Sequence, residues 1–137
     1  MDVEGGSGEA GKRAVLDALA VGYRLIDTAH MYDNEAMVGQ AVAESGLRRE
    51  DIFITTKLCQ TRAGYELAWQ GIEGSLARLQ TDYIDLLLIH EPYDEALDMY
   101  RVLTEAYHKG IVRAIGISNF NAREYLEIGR ASCRERV

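Results

Sequence analysis

Four short apolar runs recur about every thirty residues, at 23–28, 51–57, 83–90 and 111–118. They are rich in Ile, Leu, Val, Phe and Tyr and apolar on both faces, as strands are in a parallel sheet covered by helices on one side. About thirty residues is the length of one strand–helix–strand unit. Consecutive units of this kind build either an open doubly wound sheet or a closed barrel. A closed barrel takes eight units, and four strands are present, preceded by a helix expected over 9–21 with no strand before it. The expected class is therefore α/β: a partial (β/α)8 TIM barrel of about four strand–helix units. One incomplete domain is expected over 1–137.

Helical patterns fill the intervals. Ala68, Ile72, Leu76 and Leu79 step by four, four and three and make one apolar stripe; Met99, Leu103, Ala106 and Tyr107 make another. Gly22, Gly46 and Gly110 stand where helices should stop, in the left-handed conformation that favours glycine. Asn34 and Asn121 are candidate N-caps, the second with Glu124 at the capping-box position. His108 and Lys109 fall at a helix end, where the dipole favours positive charge.

Composition narrows the partners. The net charge is −7, with no cluster of Lys and Arg inside the folded region, so neither nucleic acid nor an anionic membrane is expected to bind. No apolar run approaches a membrane span, and no secretory signal is visible in the acidic, Gly-rich start. Cys59 and Cys133 match no metal spacing, so no metal site is expected, and a reduced cytoplasmic protein is the simplest reading.

The informative residues lie at the carboxyl ends of the strands. The first run ends in Asp27, with Tyr32 in the following loop; the second ends in Lys57, the third in His90, the fourth in Ser118 and Asn119. In a barrel all of these face the end where active sites form. A Tyr is a poor acid, with an ordinary pKa of about 10. A nearby ammonium stabilises the phenolate, so Tyr32 beside Lys57 can donate a proton. Asp27 can hold the ammonium, and His90 can hydrogen-bond and orient a substrate oxygen. Such a site protonates an oxygen while another group supplies a hydride. A Ser–Asn pair can hold a carboxamide, which is what a nicotinamide presents. Taken singly, each of these residues has a plain structural reading: a capping carboxylate, a half-buried aromatic, a solvated lysine, a core histidine. Their joint spacing is what points to chemistry.

At these residues the sequence resembles the aldo-keto reductase family. The matching segments run from Gly22 through Ala29, then Tyr32, Asn34, Glu35, Val38 and Gly39, then Ile54 to Leu58, Asp85 to His90, and Gly110 to Phe120. The resemblance covers about 14–125 and leans toward the small bacterial diketogluconate and methylglyoxal reductases. It implies an oxidoreductase reducing aldehydes or ketones with NADPH, NADH being left open. It implies a tetrad of Asp27, Tyr32, Lys57 and His90, with Tyr32 as general acid and with His90 and Tyr32 meeting the substrate. Ser118 and Asn119 would bind the nicotinamide carboxamide, with Asp27 also on the cofactor side. Its partner would be a small carbonyl compound. The parent enzyme would be a monomer, and this chain alone would self-associate and lack turnover. The alternative is a cofactor-binding module of the same family without physiological turnover.

Several residues are expected to be bystanders. His30 is given no role. Cys59, where many relatives carry a tryptophan at the substrate mouth, is read as a neutral rim residue with no base beside it. Gly5-Gly6-Ser7-Gly8 resembles a phosphate loop only superficially, since no strand precedes it. The stretch 1–8 stands where a first strand should be. The basic stretch 129–137 lacks a helical stripe and back-translates into a string resembling a sequencing adapter. On this reading 128–137 is a non-native tail and the natural part ends near Glu127.

Overall fold

The structure, a computed structural model, describes residues 8–59 and 64–134, with side chains through Ala131. The glycine stretch 5–7 and the end of the tail lie outside the described residues. The elements follow in order: α1 (Glu9–Ala20), β1 (Leu25–Asp27), α2 (Glu35–Glu44), β2 (Phe53–Leu58), α3 (Tyr65–Leu79), β3 (Ile84–Ile89), α4 (Ala96–His108), β4 (Val112–Ile117) and α5 (Ala122–Arg134). The strands form one parallel sheet in the order β1-β2-β3-β4. Each strand is followed by a helix. Right-handed crossovers that always step the same way place all those helices on one face. This is the architecture of a partial (β/α)8 barrel.

Register separates the two faces. Ile54 pairs with Ile26, and Thr56 and Leu58 pair with Leu87 and Ile89, all on the helix side. Ile54, Leu58, Leu87 and Ile89 are fully buried there against Ile72 and Leu79 of α3 and Met99 and Leu103 of α4. Burying each such side chain contributes about 1.5–3 kcal/mol, so this layer carries the fold. The other face holds Leu25, Asp27, Phe53, Thr55, Lys57, Leu86, Leu88, Ala114 and Gly116 by the same register. It is not the plain aliphatic surface expected from apolar runs. A carboxylate and an ammonium sit in it, and Gly116 makes room for Leu88, whose Cδ2 would lie 2.8 Å from an added Cβ.

The strands are shorter than their apolar runs, and the reasons are local. Tyr23 bonds back to the Ala18 carbonyl, which ends α1 and delays β1 to Leu25. Asp51 belongs to a 3-10 turn over Arg49–Asp51, so β2 begins at Phe53. In α4 the buried stripe is Met99, Val102, Leu103 and Ala106; Tyr107 points away and is half exposed. It is one residue past Ala106 and so about 100° round the helix. Gly22, Gly46 and Gly110 do take positive φ, of 108°, 72° and 75°, but α3 ends on the left-handed Gln80 with no glycine to mark it. Asn121 caps α5 through the amides of Arg123 and Glu124, and Glu124 returns a bond to the Asn121 amide. The α5 backbone stays helical through Arg134, into the stretch from Gly129 that carries no helical stripe. Arg, Ala and Ser tolerate a helix there, and Gly129 costs only about 1 kcal/mol.

The amino-terminal end of the sheet is bolted by charge. The Arg49 guanidinium donates to the Thr81 hydroxyl, to the Ile52 and Tyr83 carbonyls and to the Asp85 carboxylate. Asp85 also accepts the Ile54 amide. Arg49 and Arg113 lie over the ring of Tyr83, at 4.2 and 4.1 Å from its centroid.

Candidate active site

Asp27 closes β1, and its carboxylate points off the inner face. The chain then turns through a 3-10 segment, His30–Tyr32, and passes Asp33 in the left-handed region before α2. A buried bond from the Thr28 hydroxyl to Asn34 Oδ1, 2.5 Å long, staples the two ends of this loop. Asn34 does occupy the N-cap position, but it makes no side-chain capping bond to α2. Thr28 takes its oxygen, and the staple holds Tyr32 over the sheet.

Lys57, next to last in β2, is buried. Its ammonium is in direct contact with the Asp27 carboxylate and donates to the Thr28 carbonyl at 3.1 Å. A buried ammonium needs such partners, because its desolvation is otherwise unanswered. The same nitrogen lies 5.1 Å from the centroid of the Tyr32 ring.

His90 follows β3. Its amide donates to the Leu58 carbonyl, which sets the imidazole beside the end of β2. The ring meets Tyr32 edge to face at 5.8 Å. Burial pushes the His90 pKa below the ordinary 6.5, and the Lys57 charge pushes it the same way, against weaker opposition from Glu91 and Asp27. The imidazole is therefore neutral at pH 7. Its Nδ1 is buried and has no hydrogen-bond partner among the described residues. Leaving a buried polar atom unpaired costs about 1–3 kcal/mol, and such atoms concentrate where a ligand completes them.

Ser118 and Asn119 follow β4. The Ser118 amide donates to the Ile89 carbonyl. Asn119 adopts φ 62°, and its Nδ2 donates to the His90 carbonyl at 3.0 Å and to the Ser118 hydroxyl at 3.2 Å. The structure thus brings Asp27, Tyr32, Lys57 and His90 together at the carboxyl end of the sheet, with Ser118 and Asn119 on the neighbouring strand end.

Two groupings escaped the sequence reading. His30 Nδ1 lies 2.9 Å from Cys59 Sγ, so Cys59 does have a base beside it. Cys59 lies two positions after Lys57, just past the end of β2, and that spacing was the available signal. Behind the Tyr32 loop, Glu35 is almost fully buried; it accepts from the Thr56 hydroxyl at 2.6 Å and from Arg78 at 2.8 and 2.6 Å. No local pattern links residues 35, 56 and 78.

With this geometry in place, comparison with known proteins decides the family. The sequence profile of the Aldo/keto reductase family matches residues 6–135. The chain belongs to that family. It is 45% identical over 123 residues to the glyoxal reductase of Bacillus subtilis (strain 168), covering 89% of this chain and 45% of that one. The crystal structure of an aldo/keto reductase from Brucella melitensis superposes with a TM-score of 0.92 at 40% identity, over 96% of this chain and 52% of the other. An aldo-keto reductase of Bombyx mori, solved in complex with NADP, superposes with a TM-score of 0.87 at 33% identity, over 95% and 49%. The chain spans about half the length of the aldo-keto reductases it matches.

Proposed function

We propose that the barrel this chain contributes to reduces aldehydes or ketones to alcohols with NADPH, Tyr32 acting as the general acid. The observation that carries this reading is the position of the Tyr32 ring, flanked by the Lys57 ammonium and the His90 imidazole while Asp27 grips the lysine. As the phenol gives up its proton, the ammonium stabilises the phenolate that forms. Asp27 keeps the ammonium in the inner face of the sheet and limits its net charge. A neutral His90 offers one N–H to the carbonyl oxygen and fixes which way that oxygen points.

The residues present suit a nicotinamide. Asn119 Nδ2 is taken up by the His90 carbonyl and the Ser118 hydroxyl, which leaves Asn119 Oδ1 as an acceptor. The Ser118 oxygen accepts from Asn119 and keeps its own hydrogen to donate. An acceptor beside a donor matches the NH2 and C=O of a carboxamide. When bound, the cofactor supplies the hydride that goes to the carbonyl carbon. The NADP in the Bombyx mori relative supports the choice of cofactor, and the name of the Bacillus subtilis relative supports a small oxoaldehyde as substrate. The 137-residue chain itself is proposed to lack turnover, since it spans less than half of that reductase.

The test is a chain completed to the length of its relatives, given methylglyoxal and NADPH, with loss of reduced-nicotinamide absorbance as the readout. Binding of NADPH without turnover of any aldehyde or ketone would refute the reading.

A further inference from the structure

Beside the proposed reduction site lies a pair that reduction does not use. His30 and Cys59 come from the loops after β1 and β2, and Nδ1 and Sγ are 2.9 Å apart. Cys59 is only 4% exposed. A thiol so packed and without a base would be inert. Here the two residues line a recess of about 350 Å3, together with Met31, Asp33 and Arg78 among the described residues. None of the four tetrad residues lines it.

We propose that Cys59 and His30 form a reactive thiol–imidazole pair that takes small neutral carbon electrophiles from this recess. A thiol is activated by a base within hydrogen-bond reach, and the contact supplies one. The thiol proton passes to the imidazole and the sulfur attacks the electrophilic carbon. With an aldehyde, the S–C bond forms, the carbonyl π pair moves to oxygen, and that oxygen takes the proton; the product is a hemithioacetal and no oxidant is needed. With a haloacetamide, the S–C bond forms, halide leaves with the bonding pair, and the imidazolium returns its proton to water. The recess selects for neutral reagents. Among the described residues its guanidinium is that of Arg78, already engaged by Glu35 at 2.6 Å, and Asp33 adds a carboxylate that repels anions.

The experiment is alkylation of the 137-residue chain by iodoacetamide at neutral pH, followed peptide by peptide in a mass spectrometer. Cys133 in the same digest reports on the reagent. Cys59 in the folded chain should react about tenfold faster than the same residue in urea, and His30→Gln should remove about that factor. A merely packed thiol gives the opposite order, slower when folded. Folded Cys59 reacting no faster than in urea overturns the proposal, as does an unchanged rate in His30→Gln. The urea comparison needs no variant, so a folding defect in His30→Gln leaves the proposal open to refutation.

Discussion

The imidazole of His90 and the ring of Tyr32 form a T-shaped pair, with 5.8 Å between centroids and 83° between planes. A ring-to-ring contact of this kind does not depend on the phenol oxygen. Tyr32→Phe therefore keeps the ring and removes only the hydroxyl. In a chain completed to full length, turnover should fall by about 10²–10⁴-fold, the usual worth of general acid catalysis. NADPH affinity should stay as it was. Steady-state kinetics with a cofactor titration separates the two; unchanged turnover removes Tyr32 from the acid role.

His90 itself should titrate below pH 6.5 when followed by NMR, because burial and then the Lys57 charge both oppose its protonation. The sign for stability follows. Around that pH the unfolded chain binds a proton that the folded chain refuses, so stability rises with pH in this window. This contribution is complete above the unfolded value near 6.5 and is lost as the pH falls through it toward the lower folded value. Lys57→Ala should raise the midpoint, though not to 6.5, since burial is the larger cause. A midpoint at or above 6.5 in the intact protein contradicts the buried environment.

Glu35→Ala should destabilise by about 3 kcal/mol, at the low end for breaking a buried ion pair. The Thr56 hydroxyl loses its acceptor, and Arg78 loses a carboxylate but is one-third exposed and can regain water. Urea denaturation reads the loss. A change within about 0.5 kcal/mol, the range of ordinary surface substitutions, would show that the network is not structural.

Gly39→Ala tests the packing of α2 on α3. An added Cβ would lie 2.5 Å from the Arg78 carbonyl oxygen and 2.7 Å from the Leu79 carbonyl carbon. Backbone cannot swing aside as a side chain can, so the helices must part. Overpacking of this kind costs about 1–3 kcal/mol, and the thermal midpoint should fall accordingly.

The chain as it stands should self-associate. Among the described residues β1 and β4 are the two edges of the sheet, and edges present unpaired amides and carbonyls. Leu25 and Phe53 pair on the inner face and are 52% and 40% exposed. Light scattering should report dimers or larger species, and Phe53→Lys should reduce them. A monodisperse monomer of the unmodified chain would count against this.

How far the molecule could be read beforehand depended on the range of the interactions. The strands were legible because Leu86 to Ile89 or Ile52 to Ile54 is apolar within one local run. Asp27, Lys57 and His90 were legible as neighbours because each sits at the end of such a run, so a local boundary also located the candidate site. What was not legible is what joins distant segments. Asn34 looked like a cap because its neighbours resemble a helix start; its oxygen goes instead to Thr28, a tertiary choice. Glu35 and Arg78 are 43 residues apart, and nothing near either one announces the other. Cys59 was judged by its chain neighbours, while its base comes from a different strand end.

The cluster of Arg49, Tyr83, Asp85 and Arg113 has a consequence for how this scaffold can change. It fixes strand register from the end opposite Asp27, Tyr32, Lys57 and His90. The loops after the strands can thus be rewritten while the sheet beneath keeps its alignment. A barrel anchored at its floor is free to experiment at its rim.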